Sequence, residues 1–334
     1  EATPILAMKI SDSGADDLSR PVFLSFEGDV APGEPYAHMV PNRVLTAALL
    51  AAAEARVEFI APAEVAGYSA EPALATLSLK DGRTLAAPLL IAADGAMSGL
   101  RQMAGIGVVS HDYRQAGVVT TIAHELPHEG TAYEHFRPAG PFASLPLSGN
   151  RSSLVWTEAT AEAVRLKALP PEAAAAEIEA AMGSCLGAVR LEEPLQSFPL
   201  RLQLARSFVA PRLAIIGDAA HVIHPLAGQG LNLGLKDVAA LSEAVIDALR
   251  LGLDHGAPDM LARYQASRRL DTALMAAVTD SLNRLFSNDL APLRALRDVG
   301  LGLVDRMRPV KSALIGRAAG LDHHGPRLTR GLPL

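Results

Sequence analysis

The sequence predicts an α/β fold that is interrupted by a β-rich segment and ends in helices. Two short, very apolar runs lead directly into turns that pair aspartate with glycine, at residues 89–95 and 213–218, as buried strands of a parallel sheet do. Residues 107–156 have the composition of strands and are punctuated by proline and glycine. Beyond residue 254 the pattern is mostly helical to about residue 319.

Composition narrows the class of protein. The 334 residues suffice for two domains, or for one large domain with an insertion. A hydrophobic content of 49% and a charged content of 20% are typical of a globular chain. The net charge of −6 argues against a nucleic-acid partner.

The single cysteine, Cys185, excludes a disulfide framework and any metal site built from several cysteines. We expect its side chain to be a small, buried hydrophobic group rather than a nucleophile. The histidines (His221, His224, His323 and His324) have no further ligands at suitable spacing, so we expect no metal. Neither a signal-peptide pattern nor an apolar run of roughly 18 residues is present. These features predict a cytoplasmic protein.

The remaining elements follow in chain order. Apolar positions at 3.6-residue spacing predict a helix from Pro41 to about Glu54. An Asp81-Gly82 turn predicts a hairpin over residues 77–85. Further strands are expected at residues 5–10, 22–26 and 57–60. Further helices are expected at residues 159–184 and from near Leu231 to about residue 250.

The stretch LAIIGDAAHVIHPLAGQGLNLGLKDVAAL, residues 213–241, joins a strand to a helix. Gly217 lets a ligand approach the backbone, and Asp218 follows at the carboxyl end of the strand, where open α/β sheets bind ligands. The Gly-Gln-Gly triplet at 228–230 then offers bare N–H groups just before a helix expected to start near Leu231, whose partial positive charge favours an electron-rich or anionic group. For an isolated glycine–aspartate pair, a tight turn with an ordinary helix cap is the better explanation, but the length of this composite motif favours a binding site.

A second strand, LLIAADGAMSGLR (residues 89–101), ends in Asp94-Gly95 and continues as D-G-x-x-S-x-x-R. A helix starting here places Ser98 and Arg101 one turn apart on the same side. The Arg101 guanidinium is suited to neutralising a phosphate. Aspartate–glycine pairs are common turns, so the motif is informative mainly because it accompanies the first one.

The two motifs resemble the DG and GD motifs of the class A flavoprotein monooxygenases. Two further segments are similar to the ubiquinone-biosynthesis branch of that family: HFRPAGPFASLPLSGNRSSLVW, residues 135–156, and YQASRRLDTALMAAVTDSLNRLFSNDLAPLRALRDVGL, residues 264–301. The resemblance covers about residues 35–320. It implies a Rossmann-like FAD/NAD(P)-binding domain, an inserted β-sheet substrate domain and C-terminal helices.

The resemblance also implies a domain order. Residues 1–105 would form part of the FAD-binding domain with interleaved strands of the substrate domain, and residues 106–205 mainly the substrate domain. Residues 206–250 would return to the FAD-binding domain, and residues 251–334 would form the helical region.

The implied reaction consumes NAD(P)H and O₂. The reduced FAD forms a C4a-hydroperoxide, whose distal oxygen passes to the ring of a polyprenylated phenol, so no dedicated catalytic side chain is expected. By position, Asp218 would meet the ribityl chain, residues 225–232 the isoalloxazine, and Asp94 and Gly95 the pyrophosphate side, with Arg101 supporting that region or NAD(P)H. The implied FAD contacts are Gly217, Asp218, Pro225, Gly228, Gln229, Gly230, Leu231, Asn232, Asp94, Gly95, Arg101 and Arg43.

One part of the family pattern does not occur in this sequence. The family begins with a strand, G-x-G-x-x-G and a helix, which hold the ADP half of FAD; Gly105 and Gly107 lack the third glycine. We therefore expect an N-terminally incomplete version of the protein with poor affinity for FAD.

Several alternatives stay open. His135 and Arg137, in the β-rich segment, are candidates to contact the ring hydroxyl of the substrate, or else have surface or structural roles. Residues 285–319 form either an ordinary amphipathic cap or a peripheral contact with the inner membrane, where a polyprenylated substrate resides. Besides hydroxylation, the fold would suit a flavoprotein reductase or halogenase, and the chain would also suit a non-catalytic partner in a quinone-synthesis complex.

Overall fold

The structure, a computed structural model, describes residues 2–12, 22–27, 33–35, 37–287 and 325–334. It separates into two compact units. The first comprises Glu1–Glu58, Arg114–Leu200 and Leu282–Gly320, and the second comprises Phe59–Tyr113, Arg201–Ser281 and Leu321–Leu334.

The elements of the described residues are given in chain order. The strands are β1 (Thr3–Ile5), β2 (Ala7–Asp12), β3 (Val22–Glu27), β4 (Ala37–Met39), β5 (Val65–Ala70), β6 (Ala75–Leu79), β7 (Thr84–Ala87), β8 (Leu90–Ala92), β9 (Val108–His124), β10 (Thr131–Arg137), β11 (Gly140–Leu147), β12 (Arg151–Ala159), β13 (Val189–Leu191), β14 (Gln196–Ala205), β15 (Val209–Ala210), β16 (Leu213–Ile215) and β17 (His221–Val222). The α-helices are α1 (Asn42–Glu54), α2 (Gly99–Met103), α3 (Thr160–Lys167), α4 (Pro171–Met182), α5 (Gln229–Arg250) and α6 (Pro258–Phe286).

A mixed β-sheet organises the first unit. Six of its strands lie in the order β9-β12-β11-β10-β2-β3, and β13 also pairs with β9. All neighbours in this order are antiparallel except β2 and β10, which are parallel. The register aligns Phe142, Trp156 and Val118 across β11, β12 and β9, so these side chains share one face.

The two faces of this sheet differ in burial. Helices α3 and α4 pack on one of them, the helix-covered face, where Phe142, Leu154 and Trp156 form a core with Leu166 and Ile178. All five side chains are at most 2% exposed. The alternate residues of each strand point to the other side, which we call the opposite face. Its central positions are only half-buried: Ala143, Leu145, Ser153, Val155, Val119 and Thr121.

The second unit carries both aspartate–glycine turns on a small sheet. β16 lies between its parallel neighbour β8 and its antiparallel neighbour β15. All three residues of β16 are fully buried, and they pack in one core with Leu241 of α5 and Tyr264 of α6. A separate antiparallel sheet is formed by β5, β6 and β7. The carboxyl ends of β8 and β16 therefore lie side by side, as a ligand site on a parallel sheet requires.

Most predicted elements are confirmed. The helix at 41–54 is α1, the hairpin is β6–β7 with Gly82 at φ +88°, and the β-rich segment forms β9 to β12. The helical segment at 159–184 divides into α3 and α4, because Pro171 begins a new helix. Of the helical region expected after residue 254, α6 is present, and residues 288–320 lie outside the described residues.

Three expectations were wrong. Residues 57–60 form no strand, and no described strand pairs with them. Cys185 is exposed rather than buried, because it lies in a short 3-10 turn where its thiol faces the Met182 carbonyl 3.8 Å away. Ile91 in β8 is 46% exposed, although its apolar run suggested burial on both faces, because among the described strands only β16 pairs with β8.

Within the parts of the chain that the structure describes, no helix combines the length and the apolar character that crossing a membrane requires.

The difference between the two faces of the first sheet predicts the cost of two neighbouring substitutions. Leu154→Ala, on the helix-covered face, should lower the free energy of unfolding by about 2–5 kcal/mol, because it leaves a cavity in a fully buried core. Val155→Ala, the next residue on the half-buried face, should cost clearly less. Urea unfolding of both variants measures this difference, and equal losses would contradict the assignment of the faces.

Candidate ligand site on the second unit

The turn after β16 has the geometry of a ligand-binding turn. Gly217 has φ +58°, a left-handed conformation that favours glycine, and a Cβ added to it would meet nothing within 4 Å. Asp218 follows in the same 3-10 turn and is exposed. A strand end with bare backbone and an exposed carboxylate can accept hydrogen bonds from a polyhydroxylated ligand.

Helix α5 packs directly against this turn. A Cβ added at Gly234 would lie 3.2 Å from the Gly217 Cα, so backbone meets backbone at this point. The helix begins at Gln229, two residues before the expected start, and Gly228 precedes it at φ +61°. The N-cap residue of α5, Gly228, makes no side-chain capping hydrogen bond. The first N–H groups of α5, which have no partner within the helix, are thus oriented to bind an electron-rich group.

The residues between the turn and α5 form a compact loop. The N–H of Gly228 donates to the Pro225 carbonyl at 2.8 Å, and Leu226–Gly228 form a single 3-10 turn. Leu231 and Asn232 are exposed in the first turn of α5. A Cβ at Gly228 or at Gly230 would meet nothing within 4 Å, so both glycines face open space.

A buried carboxylate fixes the turn to the two long helices. Asp237 of α5, fully buried, accepts a hydrogen bond from the Gly217 N–H at 3.0 Å. It also lies 2.6 Å from the His221 Nε2 and 2.8 Å from the Arg268 Nε of α6. The Tyr264 hydroxyl donates to the Ile215 carbonyl at 2.9 Å. This cluster holds the strand end, the turn and both helices in one arrangement.

The charge of Arg268 is retained in this cluster. Burial alone would lower the pKa of Arg268, but its hydrogen bond and charge interaction with Asp237, together with those to Asp271, raise the pKa overall. Burial also raises the pKa of Tyr264, which keeps its hydroxyl protonated as a donor. Removing the carboxylate partner of a buried arginine is strongly destabilising, because the guanidinium charge is then buried without compensation.

The second turn, after β8, is tied to the first. Asp94 accepts from the Ser98 hydroxyl at 2.5 Å and from the Leu100 N–H at 3.1 Å, and Gly95 has φ +82°. Arg101 is only 4% exposed; its guanidinium donates to the Ala219 carbonyl at 2.8 Å and to the Ala96 carbonyl at 3.0 Å. The Arg101 side chain thus joins the two turns through backbone carbonyls.

His224 is part of the same loop. It is fully buried, its Nδ1 accepts from the Leu226 N–H at 3.3 Å, and its Nε2 has no hydrogen-bond partner among the residues that the structure describes. Burial lowers the pKa of His224 to about 4, with Asp280 acting weakly in the opposite direction. The imidazole is therefore neutral at pH 7 and contributes no charge to the loop.

The remaining predicted site residues lie in the first unit. Arg43 is exposed in the first turn of α1. His135 lies on the helix-covered face of the sheet, with its Nδ1 2.8 Å from the Ser11 hydroxyl. Arg137, on the same face, lies over the Trp156 ring at 5.3 Å and 3.9 Å from the Glu158 carboxylate. His135 and Arg137 therefore have structural partners beneath the helices.

Sequence reasoning missed the buried cluster around Asp237 and Arg268. A signal for Asp237 was present, because it falls on the buried face of α5 with Leu233 and Leu241, where a charge requires a partner. No comparable signal identified Arg268, because it is one of several charged residues in the sequence of α6. Among the described residues no group of three or more His, Cys, Asp or Glu side chains could hold a metal ion.

Comparison with known proteins places this geometry in a family. The family model described as an FAD binding domain matches residues 21–279. The ubiquinone hydroxylase UbiL of Rhodospirillum rubrum is 46% identical over 339 residues, covering 100% of this chain and 78% of that protein. The 3-demethoxyubiquinol 3-hydroxylase of Escherichia coli is 39% identical over 288 residues, covering 85% of this chain and 73% of that protein.

Solved structures share the fold. The p-nitrophenol 4-monooxygenase PnpA of Pseudomonas putida superimposes with a TM-score of 0.74 at 17% identity, over 96% of this chain and 81% of that one. HpxO of Klebsiella pneumoniae, complexed with FAD and uric acid, gives a TM-score of 0.71 at 16% identity, over 97% and 82%. The fold and the two turns thus define a class A, FAD-dependent monooxygenase. Within that class, the chain belongs to the ubiquinone hydroxylase branch.

The Asp237 cluster predicts a large effect of a conservative change. Asp237→Asn should lower the free energy of unfolding by about 3–5 kcal/mol, because it removes the main charge partner of a buried arginine. Asp271→Asn is the matched control: it also faces Arg268, but its side chain is 33% exposed, so about 1 kcal/mol or less is expected. Chemical denaturation of both variants measures the two losses, and equal losses would show that the buried contacts are not decisive.

Proposed function

We propose that this chain binds FAD at the two turns of the second unit and hydroxylates the ring of a polyprenylated phenol in ubiquinone biosynthesis. The observation that supports it most directly is the open space beside three glycines, Gly217, Gly228 and Gly230, at the N-terminus of α5, where the N-cap residue is itself a glycine. Side chains at these positions would occupy the space that a large planar cofactor needs. The names of the relatives supply the substrate class.

Each proposed FAD contact has a physical basis. The exposed Asp218 carboxylate would accept hydrogen bonds from ribityl hydroxyls. The loop from Pro225 to Asn232 would lie along the isoalloxazine, where the N–H groups of α5 stabilise negative charge on its pyrimidine edge. Asp94 and Gly95 would lie near the pyrophosphate. Because the Arg101 guanidinium already binds two carbonyls, its proposed role is to hold the turns together beside the cofactor.

The protein's own contribution to the reaction is positioning. When bound, FAD supplies the redox and oxygen-activating chemistry, with NAD(P)H as the proposed reductant and O₂ as co-substrate. The Asp237 cluster keeps the turn at Gly217 rigid while the α5 N–H groups orient the cofactor. His224, neutral and buried, adds no charge that would compete with them.

Two parts of the proposal concern partners. A polyprenylated substrate resides in lipid, so we propose that the protein contacts the inner membrane peripherally. The segment on which that expectation rests, residues 285–319, lies mostly outside the described residues. We also propose association with other enzymes of quinone synthesis, because a lipid-soluble substrate passes more easily from one bound enzyme to the next than through water.

The cofactor proposal is tested by titrating FAD into the chain and following flavin fluorescence. Asp218→Ala should weaken FAD binding by about 10- to 100-fold, because a carboxylate hydrogen bond contributes about 1.5–3 kcal/mol. Glu193→Ala, another exposed acidic residue, should leave the dissociation constant unchanged. FAD binding that is unaffected by Asp218→Ala would contradict the proposed site.

The reaction is tested on the FAD-loaded protein with NADH or NADPH and a prenylated phenol. Hydroxylated product, identified by mass spectrometry and labelled by ¹⁸O₂, supports the proposal. Oxidation of neither reductant, with the fold intact, would instead favour a non-catalytic role, and a reduced prenyl chain or a halogenated ring would identify the other chemistries.

A further inference from the structure

One carboxylate lies on the opposite face of the first unit's sheet, near its centre. Glu134 in β10 is aligned with Ala143 of β11 and with Ile10 of β2. The same row continues through Val155 and Val119. Glu134 is therefore an acidic group in a row of small and apolar side chains, on the half-buried side of the sheet.

Glu134 has no internal partner among the described residues. The carboxylate on the helix-covered face, Glu158, behaves differently: it accepts from the Trp156 Nε1 at 3.0 Å and lies 3.9 Å from the Arg137 guanidinium. A buried or half-buried carboxyl without a partner is costly for the fold. Such a cost is typical of groups that a protein retains for a ligand.

Among the described residues, no hydrogen bond or ion pair compensates the charge of Glu134. Asp12, two residues beyond Ile10 on β2, is a second described carboxyl on this side. The end of helix α6 contributes two contacts here, with Phe286 stacked on Phe136 and Asn283 bonded to Gln115. β11 contributes no titratable side chain. Burial therefore raises the pKa of Glu134 to about 7, with no opposing cause.

We propose that Glu134 binds the phenolic hydroxyl of the substrate and is the base that accepts its proton. This inference rests on the proposed function and adds a catalytic residue to it. The hydroxyl donates a hydrogen bond to the Glu134 carboxylate. The O–H bond then breaks, its electron pair stays on the phenol oxygen, and the proton moves to a carboxylate oxygen. The ring becomes more electron-rich and so more reactive towards an electrophilic oxygen.

The surroundings suit this role. The side chains that flank Glu134 across the strands, Ala143, Val155 and Val119, provide an apolar surface on which an aromatic ring can lie. A base works best when its pKa lies near the pH of the reaction, because it is then both ionised and basic. An exposed glutamate, with a pKa near 4, is a weaker base than Glu134 by more than two pKa units.

Binding of a probe phenol tests the inference without the cofactor. We would titrate 2-geranylphenol into the chain by isothermal calorimetry at pH 6 and pH 8. The ionised fraction of a carboxyl with a pKa of about 7 rises from about one tenth to about nine tenths over this range. The dissociation constant should therefore fall about tenfold, whereas in Glu134→Gln it should be the same at both pH values.

Glu158→Gln is the matched control for this experiment. It removes a carboxyl whose pKa is also raised by burial, but on the helix-covered face. The tenfold dependence on pH should persist in this variant. A pH dependence that survives in Glu134→Gln, or an absence of 2-geranylphenol binding to the unsubstituted chain, would overturn the assignment.

Kinetics of the FAD-loaded protein separate this inference from the proposed function. The kcat/KM for hydroxylation should rise with pH through about 7, and Glu134→Gln should lower it by about 10²- to 10⁴-fold and remove that rise. Glu134→Asp should recover part of the rate. If the unsubstituted protein makes no hydroxylated product, the proposed function fails; if it does and Glu134→Gln keeps the same pH profile, only the role of Glu134 fails.

Stability against pH provides a readout that does not depend on any ligand. The raised pKa means that the folded protein keeps a proton on Glu134 between pH 4.5 and about 7, where the unfolded chain has lost it. Stability should therefore fall as the pH rises through this window. Glu134→Gln should lack this contribution and fold at least as well as the unsubstituted protein, which rules out misfolding as the cause of lost binding.

Discussion

The buried carboxylate of Asp237 is the constraint on which the second unit depends. Three different elements reach it: the Gly217 N–H at the end of a strand, His221 after the turn, and Arg268 from α6. A carboxylate without these partners would be too costly to bury, and an arginine without the carboxylate equally so. The turn, the strand and both helices must therefore assemble together, and the glycine backbone is fixed before any ligand arrives.

That rigidity explains the use of glycine at the surface of the site. Gly217 approaches α5 so closely that its neighbour there is another glycine, Gly234. Gly228 and Gly230, like Gly217, face open space where a Cβ would point, and the missing side chains leave the first turn of α5 accessible. Glycine thus permits close packing on one side of the turn and access for a ligand on the other. Because the turn is already fixed, binding a cofactor here would cost the protein little conformational freedom.

The sequence predicted the elements better than their partners. The composite motif located the strand, the turn and α5 because glycine, aspartate and apolar periodicity act locally. The contact between Asp237 and Arg268 joins residues 31 positions apart on different helices, and no local pattern encodes it. Alternation in β10 likewise could not tell which face the helices cover. His135 was singled out as a substrate candidate, whereas its neighbour Glu134 is the one on the half-buried side.

Two acidic groups, Asp237 in the second unit and Glu134 in the first, have opposite surroundings, and this contrast bears on function. Asp237 is buried against the Arg268 guanidinium and accepts the Gly217 N–H, which makes it a structural element of the site. Glu134 is placed among apolar side chains with no hydrogen-bond or ion-pair partner among the described residues, and burial raises its pKa. A fold under selection for stability alone would replace such a group with glutamine, which removes the charge at constant shape. Its presence on the sheet is best explained by a ligand that donates a hydrogen bond, and a phenol is the donor that the proposed chemistry supplies.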